Sequence, residues 1–263
     1  MMKIFCLFLV WICSLSALAE NYAWADRRAR NAPASVAETP QKLVAYLTNG
    51  LTDDAQKARA LAAWIVYHVD RDGYRHRVLI KYANRNQAPP PPIADDTFQT
   101  RIGTPADYAD LFAQLAALAG LKTATIDGYA GEHIRAFRYQ GRAQAVEVLA
   151  DMWGANNYAL ERYRARWNAV QINDEWRLLD TYWMNRNRDM YAALNIQTEQ
   201  AMQRFLQHRK RRLPGVFKDK AGKKLDDRYF LADPTFMIQT HFPLETRWQL
   251  LPVPVTWATF TDQ

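Results

Sequence analysis

The run Arg101-Ile102-Gly103-Thr104-Pro105-Ala106-Asp107-Tyr108-Ala109-Asp110-Leu111-Phe112 constrains the fold more than any other part of the chain. Thr104 reads as a helix N-cap and Pro105 as the first helical residue, where a missing N–H costs nothing. Asp107, three residues past Thr104, gives the start a capping-box character. The apolar pattern then carries the helix through Leu115 and Leu118 to Gly120. A strand is expected over Lys122 to Ile126, with Gly128-Tyr129 as the turn after it. Further on, Arg164 to Ile172 alternates as a strand, with Ala165, Trp167 and Ala169 on one face and Arg166, Asn168 and Val170 on the other. Asn173-Asp174-Glu175 turns the chain, and Trp176 to Leu179 returns it to Asp180.

Upstream, residues 20–39 read as a flexible lead-in and Pro40 to Leu47 as a short amphipathic helix ending near Asn49-Gly50. Thr52 is the expected N-cap of the next helix, with Asp53 and Asp54 in a first turn whose dipole favours carboxylates. Ala58, Leu61, Ala62, Ile65 and Val69 recur at helical spacing, and Trp64 and Tyr67 widen the stripe. His68 on this helix is expected to pack or to cap. Arg77 to Tyr82 reads as a short strand, and Pro89 to Pro92 as a polyproline-like connector.

Taken together, these segments resemble the core of the transglutaminase-like branch of the papain-like cysteine enzymes. The family's helix opens Gly-x-Cys-x-x-Tyr, followed by a Gly-Tyr pair, then His-x-Trp-Asn, then an Asp about fifteen residues on. Here the matching text is Gly103 to Tyr108, Gly128-Tyr129, Ala165 to Asn168, and Asp180. Arg59-Ala60-Leu61-Ala62-Ala63-Trp64-Ile65 is similar to the helix that precedes the family's nucleophile. The tail is also similar to the kyphoscoliosis-peptidase-like group, through Tyr229-Phe230-Leu231, His241-Phe242-Pro243 and Trp248-Gln249-Leu250-Leu251. The resemblance implies an α+β fold, with the central helix packed on an antiparallel sheet, over about residues 51–263. A helical insertion is expected at about 130–163, as a lid, a binding surface or extra packing.

The resemblance also implies thiol chemistry on peptide-like amides, and this chain lacks the groups for it. Pro105 stands at the Cys position and Ala165 at the His position; Asp180 alone matches the third residue. The spacing from Ala165 to Asp180 needs no gap, so misalignment does not account for the missing His. Thr104 is a poor replacement nucleophile, because an N-cap hydroxyl is expected to be accepting a backbone N–H. Without a partner imidazole, Asp180 reads as a hydrogen-bond acceptor at a strand end.

The chain's two cysteines, Cys6 and Cys13, fall in a leader-like segment with Lys3, an apolar run from Ile4 to Leu15, and Ala17-Leu18-Ala19. That pattern predicts a signal peptide over residues 1–19, with a second cut available after Ala23-Trp24-Ala25, and therefore an exported, periplasmic or secreted protein. An uncleaved anchor is the alternative. After cleavage the chain holds no thiol and, apart from Ser35, no serine. His68, His76, His133, His208 and His241 show no metal-ligand spacing, so neither a metal nor a cofactor is expected. His133 is the nearest histidine in sequence to the missing one, and His241 reads as structural.

The functional expectation is a catalytically inactive relative that binds a peptide-like or envelope ligand, or scaffolds a protein partner. Tyr108, Trp167, Asp180 and Trp183 are expected near the relict site. A hydrolase using non-Cys groups is the alternative. The formal charge is +7. After the amphipathic stretch Met190 to His208, its densest run is Arg209-Lys210-Arg211-Arg212, followed by Lys218 to Lys224. This is a solvated loop or a contact for an anionic envelope polymer, and the third reading is an interaction module acting through it.

Overall fold

The computed structural model describes residues 22–72, 96–131, 164–185 and 225–262. Residues 22–30 form a helix, α1, and Ala34–Glu38 a 3₁₀ turn. From residue 22 on, the lead-in expected over residues 20–39 is therefore folded chain. Its sequence signal was weak because the inward residues are Ala25, Ala29 and Ala32, all buried in the main core. Alanine lets backbones approach closely but gives a faint apolar stripe.

Helix α2, Pro40–Thr48, is capped by Thr39, whose hydroxyl accepts from Lys42 N–H at 3.2 Å, and buries Leu43, Val44 and Leu47. Helix α3 is Asp54–His68, and its N-cap is Asp53, which accepts Ala55 N–H at 2.8 Å. The cap lies one residue beyond the expected Thr52, since the Asp53 carboxylate is the stronger acceptor. From Ala58 to Tyr67 every residue of α3 is buried. His68 packs as its position suggests: its ring stacks on Trp64 at 5.0 Å and Nε2 lies 3.0 Å from Ala29 O.

Two short strands, β1 (Asp70–Arg71) and β2 (Ile102–Gly103), pair in parallel, with the one-turn helix α4 (Thr97–Thr100) between them in the chain. Helix α5, Pro105–Leu118, then begins where the sequence predicts. Asp107 Oδ2 accepts from both the backbone N–H and the hydroxyl of Thr104, each at 2.7 Å. The Thr104 hydroxyl thus also donates to a carboxylate, within the capping box that the sequence predicts.

The sheet is β5-β4-β3-β6, antiparallel throughout, built from β3 (Thr123–Ala130), β4 (Arg164–Ile172), β5 (Glu175–Leu179) and β6 (His241–Pro243). Gly128 and Tyr129, expected in a turn, lie inside β3, where Gly128 faces Ala165 on one side and Pro243 on the other. A Cβ at Gly128 would sit 2.3 Å from the Trp167 ring and 2.4 Å from Phe242 O, so glycine here makes room for the indole. Asn173 and Asp174 join β4 to β5 with φ of 50° and 64°, the left-handed pair that a two-residue hairpin requires.

The Arg166/Asn168 face of β4 packs on α5. Asn168 Nδ2 donates to Ala109 O at 3.1 Å, and Arg166 reaches Asp110 at 3.0 Å and Asp127 at 2.9 Å. Trp167 points to the opposite face. Beyond β5 come helix α6 (Thr181–Met184), the 3₁₀ turn Asp227–Tyr229, α7 (Pro234–Met237), a 3₁₀ turn at Thr246–Gln249, and α8 (Trp257–Asp262). No helix among the described residues is long and apolar enough to cross a membrane. The expected leader, the strand at Arg77 to Tyr82, the Pro89 to Pro92 connector, the insertion beyond Gly131, the Met190 to His208 helix and the basic run from Arg209 all lie outside the described residues. So do His76, His133 and His208.

Candidate functional site

Pro105 opens α5, so the first turn of that helix begins with a ring that has neither N–H nor reactive atom. Ala165 is buried in β4 opposite Gly128. Asn168 pairs with Leu179, so the same register carried one residue on sets Asp180 beside Trp167. Strand alternation places both on the face that holds Ala165.

Asp180 is 1% exposed, and each of its carboxylate oxygens has a partner. Oδ1 accepts Trp183 N–H at 2.8 Å, capping α6. Oδ2 lies 3.1 Å from Nε2 of His241, which is also 1% exposed. The main chain adds a bond from Asp180 N–H to Tyr229 O at 3.0 Å. A carboxylate only accepts, so Nε2 carries the hydrogen of the shared bond. The other ring nitrogen, Nδ1, lies 2.8 Å from the hydroxyl of Thr240. In the neutral ring Nδ1 has a free lone pair, and the hydroxyl is the donor.

Aromatic rings enclose the imidazole. Trp183 lies 4.8 Å from it, Trp167 meets it edge-on at 5.1 Å, and Tyr229 lies 5.8 Å away. Two buried polar groups beside this pair have no hydrogen-bond partner among the described residues: Trp167 Nε1 and Thr181 Oγ1. No group of three or more His, Cys, Asp or Glu among the described residues is placed to hold a metal ion.

The residues singled out for a relict site divide into two groups. Trp167, Asp180 and Trp183 converge on His241. Tyr108 belongs to a neighbouring cluster: its hydroxyl donates to Val69 O at 2.8 Å and accepts from Asn185 Nδ2 at 2.8 Å. Burial, reinforced by the negative charge of Asp70, holds the Tyr108 pKa well above the usual phenol range, with the Asn185 bond opposing. Tyr182 meets its ring edge-on at 5.2 Å, and the Arg71 guanidinium covers Tyr182 at 4.0 Å. Tyr108 and Trp167 are wholly buried, whereas Trp183 is half-buried.

The sequence reading missed the connection from Thr240 through His241 to Asp180. From the sequence His241 reads as a structural residue of a tail motif. Its partner lies 61 residues away in sequence, and nothing local marks a pairing across that distance.

The family model described as "Transglutaminase-like superfamily" matches residues 41–181. Kyphoscoliosis peptidase of Mus musculus is 25% identical over 222 residues, covering 84% of this chain and 26% of that protein. Hillarin of Drosophila melanogaster is 27% identical over 238 residues, covering 87% of this chain and 23% of its own length. The Lim and transglutaminase domain protein ltd-1 of Caenorhabditis elegans is 26% identical over 242 residues, covering 88% and 25%. The chain thus spans about a quarter of the length of the curated relatives it matches.

Proposed function

Because the chain belongs to the transglutaminase-like superfamily, we propose that it is an exported member of that family without its thiol reaction, acting by binding a peptide-like, envelope or protein ligand. The observation that carries this reading is Asp180. In the family's scheme this carboxylate orients an imidazole two residues from Trp167 on β4. Here that position is Ala165, and both oxygens of Asp180 are engaged by Trp183 N–H and His241. Pro105 at the first turn of α5 supports the same view, since no side chain there could attack a carbonyl. The relatives named above include a peptidase, so a peptide-like segment is the ligand class this fold suggests. Trp183, the half-buried aromatic beside Asp180, is the ring placed to touch it.

The test is a restoration experiment. The parent and P105C/A165H are assayed with glutamine-containing peptides for transamidation and peptidase activity, and with a thiol label for a reactive cysteine at position 105. The expected result is a silent parent and a variant with a new labelled thiol. A third variant, P105C/A165H/H241L, removes the donor that holds Asp180, frees it for the introduced imidazole and is expected to label faster than the double variant. Transamidation by the parent would overturn the reading.

A second reading, a hydrolase working without cysteine, is favoured by one observation. A histidine does meet Asp180, and its other nitrogen faces a hydroxyl.

A further inference from the structure

We propose that Thr240, His241 and Asp180 form a hydroxyl–imidazole–carboxylate relay that takes an acyl group from small uncharged esters. The inference deepens the second reading above and is independent of ligand binding at the relict cleft. Three features carry it. The atoms are in sequence: Thr240 Oγ1 to His241 Nδ1 at 2.8 Å, and His241 Nε2 to Asp180 Oδ2 at 3.1 Å. A nucleophile, a base and a group that orients the base are thereby linked by hydrogen bonds. The linkage is inverted relative to serine hydrolases, in which the carboxylate holds Nδ1 and the hydroxyl faces Nε2. The two ring nitrogens are chemically able to exchange these roles.

Exposure runs in the right direction. Thr240 is part-buried, while His241 and Asp180 are each 1% exposed. Thr240 is therefore the least buried member of the three. The proton-accepting end is held away from water, where a fixed dipole acts most strongly. Asp180 is also fixed independently of His241, by the Trp183 N–H bond and by its own bond to Tyr229 O. The imidazole cannot rotate freely among Trp167, Trp183 and Tyr229.

Beside the relay lie the two unpartnered donors, Thr181 Oγ1 next to Asp180 in the chain and Trp167 Nε1 on the ring that meets His241. Buried donors are normally satisfied. The surrounding rings suit an apolar acyl group, with Phe236 packed on Tyr229 at 5.3 Å continuing the aromatic wall.

The chemistry balances without a co-reactant other than water. Thr240 Oγ attacks the ester carbonyl and its proton passes to His241 Nδ1. The C–O bond to the alcohol breaks, and His241 returns the proton to the departing oxygen. Water then adds to the acyl-threonine, giving up a proton to Nδ1, and the carboxylic acid leaves as Thr240 regains its hydrogen. Asp180 accepts the Nε2–H bond throughout and steadies the imidazolium.

The experiment uses the full chain with p-nitrophenyl acetate and p-nitrophenyl butyrate. It follows phenolate release and maps hydroxylamine-labile acyl groups by peptide mass spectrometry. An acyl group on Thr240 is expected. T240V, nearly isosteric and lacking the hydroxyl, should lower release by about 10²-fold, and D180N by a similar factor. T240S should keep activity and carry the acyl group at position 240. An unchanged rate in T240V, or an acyl map that omits position 240 in both the parent and T240S, overturns the proposal. Peptide binding by T240V reports on the cleft reading separately, because that reading does not use the hydroxyl.

Discussion

Tyr108 shows how one buried hydroxyl couples stability to pH. The folded chain holds its proton well above the usual phenol range, first through burial and then through the charge of Asp70. The unfolded chain releases the same proton near pH 10. The raised folded pKa therefore contributes stability that is fully present below about pH 10 and is lost as pH rises above it. Tyr108→Phe removes this alkaline loss. At neutral pH it also removes one bond each from Asn185 Nδ2 and Val69 O, which keep their mutual bond at 3.2 Å, at a cost of about 1 kcal/mol. Urea denaturation at neutral and alkaline pH separates the two effects: the gap between parent and variant should narrow as pH rises. Gly128 is the second sensitive position. With the Trp167 ring and Phe242 O where a Cβ would stand, Gly128→Ala is expected to cost about 3 kcal/mol, since neither a central strand nor a packed indole yields easily. A lowered thermal midpoint with unchanged secondary structure would show it.

At the scale of elements, the β4–β5 hairpin gives the opposite sign. Asp174 holds a left-handed φ of 64° without being glycine, so Asp174→Gly should stabilise by up to about 1 kcal/mol, readable in a denaturation midpoint. The bond from Gln171 Nε2 to Asp174 O survives, because it uses main-chain oxygen. This hairpin and the start of α5 were legible because their signals are local: Asn-Asp at a strand reversal, and Thr-Pro-x-Asp at a helix start. The extension of β3 through Gly128-Tyr129 was not. Glycine signals a turn when read alone, and only Trp167, brought over it by β4, explains it inside a strand. The α1 helix was hidden for a related reason, since its buried face is alanine and its ion pair lies with a distant arginine. Asp180 was legible as an acceptor at a strand end, but its partner came from β6, an element whose place in the sheet no local pattern gives.

The whole molecule is drawn together at Arg59, on the buried helix α3. Its guanidinium grips Asp26 of α1 through two bonds, Nε to Oδ1 at 2.7 Å and Nη2 to Oδ2 at 2.8 Å, and reaches Asp227 at 2.6 Å. Burial opposes its charge, but the bonds and charges of the two carboxylates outweigh burial, and its pKa is raised. Arg59→Met, which keeps the length and drops the charge, should cost less than Asp26→Ala, which leaves a buried cation held by Asp227 alone. Thermal unfolding of both variants checks that order. Tyr22 packs edge-on against Phe230 at 5.3 Å, and both rings lie against the same guanidinium at 5.3 and 5.1 Å. The first described helix is thus completed by residues far along the sequence. A helix of this length is not stable alone, and Asp227 and Phe230, part of its socket, are made long after it. During synthesis α1 therefore lacks that part of its socket until Asp227 and Phe230 emerge. A nascent chain stalled before Asp227 should show faster amide exchange in α1 than one in which Phe230 has emerged.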